Sequence, residues 1–446
     1  MFSKTIFTDN KLWYNNNAGN KSKNQDKGEN ISTPQKILIE FFDLDYLDNI
    51  IAPICEKYDR IIYIRRNDPK QTLRRSRDAH SRFLSKRTNA VPEFMIVEPY
   101  DYQRMIKVLE EITDAENDFT FDITGGTNLF IAGAGDFIAR HPDVKAEVIF
   151  FDLEKGLLSS SNPQLSNAPF VLPKLSVEEV IQIHNADLMP QQDGFIRYNV
   201  RDPKLNSEIM RIWNIMKTMP KEWNNFFAIS RTITREKTRQ PDGGYVKNSY
   251  CKVTDYVPMH LKKDHGAIVN KLIRNNILTN YIIELDSVSY HLHIPECAEV
   301  LFKKSGNILE LYTYLAAFEC GIFTDITTGV LLDWDGVKDY SQRNTNNEAD
   351  LLCVSNCIPF FISCKNTVVT NAHLYELDAL ARHYCGKYAV KVLICTVESS
   401  VSIVSRAEDM NIKLIDNVQA VSHQDFLKKL AALAPVKKKA KKHVSK

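Results

Sequence analysis

Between residues 36 and 153, short aliphatic runs alternate with stretches of helical period, and this alternation restricts the fold more than any other feature of the chain. The runs are KILIEFF (36–42), RIIYIR (60–65), EFMIVE (93–98), FTFDIT (119–124) and AEVIFFDL (146–153). Helical patterns fall between them, near 46–57, 101–113 and 127–140. Strands that alternate with helices in this way form a parallel sheet covered by helices on both faces, so the expected class is α/β.

The chain has 446 residues, which at roughly 100 to 200 per domain predicts two or three compact domains. Residues 1–34 are expected to be a flexible leader, because the stretch 15–34 is polar, poor in aliphatics and without period. A first domain is expected over 35–165 and a connection containing Ser, Asn and Pro over 166–205. Residues 206–303 read as helices followed by a tight strand pair, NYIIELD and SVSYHLHI, which suggests a winged-helix-like unit or a plain spacer. From 304 to 420 the order is a helix at 307–319, three strands in succession, a helix at 371–385, then strand and helix again, a mixed α/β domain. A terminal helix and a basic tail complete the chain over 421–446.

The formal charge is +2, and the six lysines of residues 437–446 exceed that excess, so the body of the chain is not basic. A protein that coats nucleic acid over a broad surface carries a stronger bias, so contact with nucleic acid is expected to be confined to a cleft or to the tail. No segment approaches the roughly 20 consecutive apolar residues of a membrane span, and the N-terminus lacks a signal-peptide pattern. Nine cysteines, an odd number set mostly in apolar runs such as LLCVSNC and KVLICTV, fit reduced thiols. The expectation is a soluble cytoplasmic protein.

Two constellations carry chemistry. In FDITGGTN, Thr124, Gly125, Gly126, Thr127 and Asn128 stand where a strand gives way to a helix. Adjacent glycines allow close backbone approach, and a helix N-terminus offers N–H donors to an anion. Loops bearing Asp43, Asp45, Arg65 and Arg66 should emerge on the same sheet edge, where ligands of open α/β sheets bind. The run matches neither GxGxxG nor GxxxxGKS.

This turn, at the end of the fourth strand of a Rossmann-like domain, resembles the ligand turn of CRISPR-associated Rossmann-fold (CARF) domains. The resemblance covers roughly residues 36–155 and implies a homodimer that binds a cyclic oligoadenylate across its two-fold axis, through Thr124–Asn128.

The second constellation is Glu310 on the helix GNILELYTYL, Asp350 in NEADLLCVS, and Lys365 in the next strand, PFFISCKN. An acid on one strand, a lysine on its neighbour and a helix-borne acid can hold Mn²⁺ or Mg²⁺, with the Cys364 backbone carbonyl as a further oxygen donor. Glu348 shares a strand face with Asp350 if the strand is regular. The arrangement resembles the PD-(D/E)xK nuclease (restriction-endonuclease-like) fold in the version fused to CARF domains, which implies Asp350 as metal ligand, Lys365 as catalytic lysine and Glu310 as helix-borne acid. Ser363 stands where that family's E-x-K acid is usual. A zinc site from Cys353, Cys357, Cys364, His373, His383 and Cys385 is the competing reading, but these residues contain no CxxC pair.

Together the resemblances imply an ancillary nuclease of type III CRISPR defence. Cyclic tetra-adenylate would activate it to cut single-stranded DNA or RNA, or to nick duplex DNA such as a plasmid, with low sequence specificity. The alternatives are a ligand-responsive DNA-binding regulator whose nuclease-like domain is inert, and a small-molecule-binding scaffold that uses its tail to hold RNA.

Overall fold

The computed structural model describes residues 33–67, 72–98, 100–186, 188, 202–230, 233–236, 248–253, 266–283, 288–333 and 346–434. The predicted leader up to residue 32 and the basic tail from 435 lie outside the described residues. Residues from Gln35 onward belong to one compact unit.

The N-terminal sheet has the order β3-β2-β1-β4-β5-β6-β7. Its strands β1 (Lys36–Phe41), β2 (Arg60–Arg66), β3 (Pro92–Val97), β4 (Asp118–Asp122) and β5 (Lys145–Asp152) are parallel. β6 (Leu157–Ser160) and β7 (Ala168–Pro169) add an antiparallel edge. Helices α1 (Asp48–Cys55), α2 (Thr72–Arg87), α3 (Tyr102–Ile112) and α4 (Asn128–Arg140) connect the parallel strands. Ile37, Ile39 and Phe41 of β1 pack with α3 and α4, whereas Leu38 and Phe42 face a larger core that also includes Ile50 and Ile51 of α1. That larger core runs without a break into the C-terminal sheet.

The sequence pattern contains no sign of α2, whose run TLRRSRDAHSRFLSKR is mostly polar. Burial of Ala79, His80, Phe83 and Leu84 holds it against the sheet. The segment 166–205, expected to be a bare connection, contains α5 (Val177–Ile183), started by a Ser176/Glu179 capping box. Arg87 of α2 donates to Glu179, and the N–H groups of Leu175 and Val177 bond to Asn356 O and Asp325 Oδ2. α5 therefore fastens the N-terminal sheet to the C-terminal one.

Helices α6 (Pro203–Met216), α7 (Pro220–Ser230) and α8 (Gly266–Arg274) come next. Asp202 caps α6 through the N–H groups of Lys204 and Leu205, with Pro203 in the first turn. The expected hairpin is the pair β10 (Leu278–Ile283) and β11 (Val288–His293), but it belongs to a four-stranded antiparallel sheet with β8 (Ile233–Glu236) and β9 (Asn248–Val253). Trp223 of α7 is fully buried, and its Nε1 donates to Ser305 O.

The third sheet has the order β12-β13-β14-β15-β16. It is built from β12 (Asp325–Asp333), β13 (Asn346–Ser355), β14 (Ile358–Lys365), β15 (Val390–Cys395) and β16 (Ile412–Ile415). β12, β13 and β14 are antiparallel neighbours, and β14, β15 and β16 run parallel. Helix α9 (Asn307–Glu319) precedes them, α10 (Asn371–Cys385) and α11 (Val401–Asp409) cross over between the parallel strands, and α12 (His423–Ala431) closes the domain. Tyr312 of α9 stacks between Trp213 of α6 and Phe426 of α12, with centroids at 4.2 Å and 5.3 Å. Among the described residues, no helix is long and apolar enough to cross a membrane.

Candidate functional site

Asp350 lies where the β12–β13 ladder is interrupted. Residues on both sides are paired, but Gly329 and Asp350 between them are not, and Gly329 takes φ +60°. Thr328 fills the gap, its Oγ1 donating to the Asp350 carbonyl at 2.8 Å. On the other side the Cys364 N–H donates to Asp350 Oδ2 at 2.7 Å and Ser363 Oγ donates to the same oxygen at 3.2 Å. The carboxylate is thus held by β14 through one oxygen.

Glu310, in the first turn of α9, lies close enough to feel the charge of this carboxylate. Burial raises its pKa well above the usual carboxylate range, and the charges of Asp350 and Glu348 raise it further, against Lys304 and Lys365. Asp350 is also raised by burial, opposed first by Lys365 and then by its hydrogen bonds. These mutual effects place Glu310, Asp350, Glu348, Lys304 and Lys365 in one electrostatic cluster. Gly306 leaves space for Glu310, since a Cβ there would stand 3.1 Å from Glu310 Oε1. Glu348 is exposed at the rim, with Lys304 Nζ 3.4 Å from its Oε1.

The donor set is all oxygen, which suits a hard divalent cation that keeps several waters. Asp350 Oδ2 is taken by main-chain and hydroxyl donors, so Oδ1 is the oxygen left to ligate. Among the described residues, no three or more His, Cys, Asp or Glu side chains are gathered into a cage. The residues fit Mg²⁺ or Mn²⁺ held by one or two carboxylates, a backbone carbonyl such as that of Cys364, and water. Among the described residues, those named for the zinc alternative do not gather into a site: Cys353, Cys357, Cys364 and Cys385 are buried without disulfides, and His373 Nδ1 accepts from the Thr370 N–H as part of the α10 cap.

At the N-terminal sheet, the chain leaves β1 and β4 in opposite directions, and the crevice between their carboxyl ends is a switch point of the kind where α/β folds bind ligands. Asp43 and Gly125 meet there: a Cβ on Gly125 would lie 3.5 Å from the Asp43 Cβ and 3.1 Å from the Asp48 Cβ. Gly126 has φ +92°, and a Cβ there would fall 2.4 Å from the Phe41 Cβ. The glycine pair is thus required by close approach to β1. Thr124 is engaged internally, donating to Asp122 and accepting from the Phe151 N–H, and Thr127 caps α4. Asn128 is exposed at the helix N-terminus.

Arg65 was expected in a loop, but β2 extends through Arg66, so Arg65 is a buried strand residue and Arg66 is exposed at the strand end. Asp45 lies 3.4 Å from Lys387 Nζ. Sequence reasoning did not single out Asp48, Lys304, Thr328, Lys387 or Tyr388. For Lys304 the available signal was its place in KKSGNILEL, six residues before Glu310.

No family model matches the sequence, and no curated protein matches it. Protein VC1899 from Vibrio cholerae superposes with TM-score 0.63 at 16% identity, over 89% of this chain and 96% of its own. Can2 from Sulfobacillus thermosulfidooxidans, in complex with cyclic tetra-adenylate, superposes with TM-score 0.62 at 14% identity, over 89% and 99%. The chain shares their fold. The shared architecture is mixed α/β with a parallel Rossmann-like sheet, and it extends over nearly the full length of all three proteins.

Proposed function

We propose that the protein is a metal-dependent nuclease of CRISPR defence, switched by a cyclic oligoadenylate bound at the β1/β4 edge of its CARF-like domain. The observation that carries the nuclease half is the fixing of Asp350 by β14 beside Glu310 and Lys365. The fold shared with a protein solved in complex with cyclic tetra-adenylate supports the sensor half, with Asp43, Asp45, Arg66 and Thr124–Asn128 around the ligand and Arg65 beneath it. A two-fold symmetric ring is contacted equally by two copies, so the working unit is a homodimer.

Asp350 and Glu310, with the Cys364 carbonyl and Glu348 at the rim, are the groups that would hold Mn²⁺ or Mg²⁺. Such an ion polarises a phosphoryl oxygen and lowers the pKa of a bound water. Lys365 places an ammonium where a scissile phosphate gains charge or an attacking water must be oriented. Ser363, in place of the usual acid, keeps Asp350 oriented by hydrogen bond. The four-stranded sheet with α6, α7 and α8 is the winged-helix-like spacer between the two sites.

The test is cutting of labelled single-stranded DNA, single-stranded RNA and supercoiled plasmid with Mn²⁺ or Mg²⁺, comparing wild type with Asp350→Ala and Lys365→Ala. Cutting that both substitutions abolish is expected. Cutting that survives both would move the chemistry elsewhere. Ligand-responsive, sequence-specific duplex binding without cutting would make the protein a regulator, the reading to which Ser363 lends weight.

A further inference from the structure

Asp48 opens α1 at the base of the loop 43–48, and its side chain is fully buried. Both carboxylate oxygens are taken by the C-terminal domain: Lys387 Nζ lies 2.6 Å from Oδ2, and the Tyr388 hydroxyl donates to Oδ1 at 2.6 Å. Lys387 also reaches Asp45 in the same loop. Burying a carboxylate is costly, and breaking its pairing leaves an uncompensated charge, so this contact is sensitive to any displacement of either side.

Each end of the contact touches a candidate site. The Asp48 Cβ supports the ligand turn, since it is the nearest atom to a Cβ built on Gly125. Lys387 and Tyr388 belong to the turn joining α10 to β15. Tyr384, in the last turn of α10, accepts through its hydroxyl from Asn347 Nδ2 at 3.1 Å, and Asn347 precedes Glu348 on β13. A second contact runs beside the first. Tyr46 meets His184 edge-on, with centroids at 5.0 Å, and His184 Nε2 occupies the space a side chain on Gly386 would need. Gly386 takes φ +69°, so backbone and packing both require glycine there.

We propose that Asp48, Lys387 and Tyr388 form a strut that passes occupancy of the β1/β4 edge, within one chain, to the strand carrying Glu348 and Asp350. This rests on the ligand reading of the preceding subsection and assigns its regulation. An anionic ligand arriving at this edge meets Asp43 and Asp45, with the buried Asp48 behind Gly125 and its charge offset by Lys387. The ligand's negative charge raises the cost of the buried Asp48 carboxylate behind Gly125 without contact with Lys387, so the strut has different free energies with and without ligand, as a switch requires.

The test uses the full chain and three variants, Asp48→Asn, Lys387→Met and Tyr388→Phe. Cyclic tetra-adenylate binding is measured by calorimetry, ligand-stimulated cleavage by gel, and ligand-induced change in amide exchange over residues 384–395 by mass spectrometry. Binding within about threefold of wild type, with stimulation reduced by about tenfold or more, is expected from coupling energies of the usual size. The exchange response at 384–395 should be present in wild type and lost in the variants. Variants that keep both the stimulation and the exchange response overturn the strut. Loss of binding in step with stimulation also overturns it, because these would then be ligand residues. Wild type that binds ligand but cuts nothing refutes the nuclease reading, while exchange still decides the strut. Wild type that binds no ligand overturns the sensor reading and this inference with it.

Discussion

The main-chain N–H of Cys364 donates to Asp350 Oδ2 at 2.7 Å, so the acid of β13 is anchored by the backbone of β14, one residue before Lys365. This bond ties the Asp350 carboxylate to the main chain of the strand that carries Lys365. Ser363 adds its hydroxyl to the same oxygen.

Replacing Asp350 with Asn keeps an acceptor for the Cys364 N–H but removes the charge a cation needs. Cleavage should fall by about a hundredfold or more, within the range for loss of a group in charge stabilisation. The melting temperature should hold or rise, because the repulsion with Glu310 disappears. Activity assays with thermal denaturation of the same sample check both.

Ser363→Ala should cost about 0.5–1.5 kcal/mol of stability through the lost hydrogen bond. It should lower cleavage far less than Asp350→Asn, because the Cys364 N–H still holds Asp350. Denaturant unfolding and initial cutting rates give the two numbers. An effect on cutting as large as that of Asp350→Asn would make Ser363 a participant in the chemistry.

Gly126→Ala should destabilise the N-terminal sheet by at least about 2 kcal/mol, combining a strained backbone at φ +92° with a clash against Phe41. Gly135, in the middle of α4 with open space around it, is the control: Gly135→Ala should be neutral or stabilising. Urea unfolding monitored by circular dichroism separates them.

Glu40 and Asp122 are register partners on β1 and β4, both buried, near the Asp48 carboxylate. Burial, first, and then the Asp122 charge raise Glu40 well above its ordinary range, and burial pushes Asp122 from 3.8 to about 7. Both folded-state values lie above the unfolded ones, so the folded protein holds more protons in this window. The Asp122 contribution to stability is complete below about pH 4 and is lost as pH rises through about 7, and the Glu40 contribution falls with rising pH in the same direction. Glu40→Gln should flatten that fall, gaining stability at pH 8 relative to pH 5. Denaturation midpoints across pH 5–8 check the slope.

The Rossmann-like half was legible because buried parallel strands leave unbroken aliphatic runs such as RIIYIR and KILIEF. α2 and α5 were not, since the run of α2 is mostly polar and α5 is a seven-residue helix set by a capping box and by contacts from residues distant in the chain. Glu310, Asp350 and Lys365 were legible from residue type on helix and strands. The Thr328 bond that fills the gap at Gly329, the Lys304 contact with Glu348 and the Asp48 strut depend on tertiary placement, and Lys387 looks like a surface lysine in sequence. Arg65 was misplaced because the sequence does not show where β2 ends.

The switch itself is tested most directly by the rate of single-stranded DNA and plasmid cutting with Mn²⁺ in the presence and absence of cyclic tetra-adenylate, on wild type and Lys365→Met in parallel. The account predicts cutting that rises by about tenfold or more with ligand in wild type and stays at background in Lys365→Met. Equal cutting with and without a ligand that is shown to bind, or ligand-stimulated cutting that persists in Lys365→Met, would contradict it.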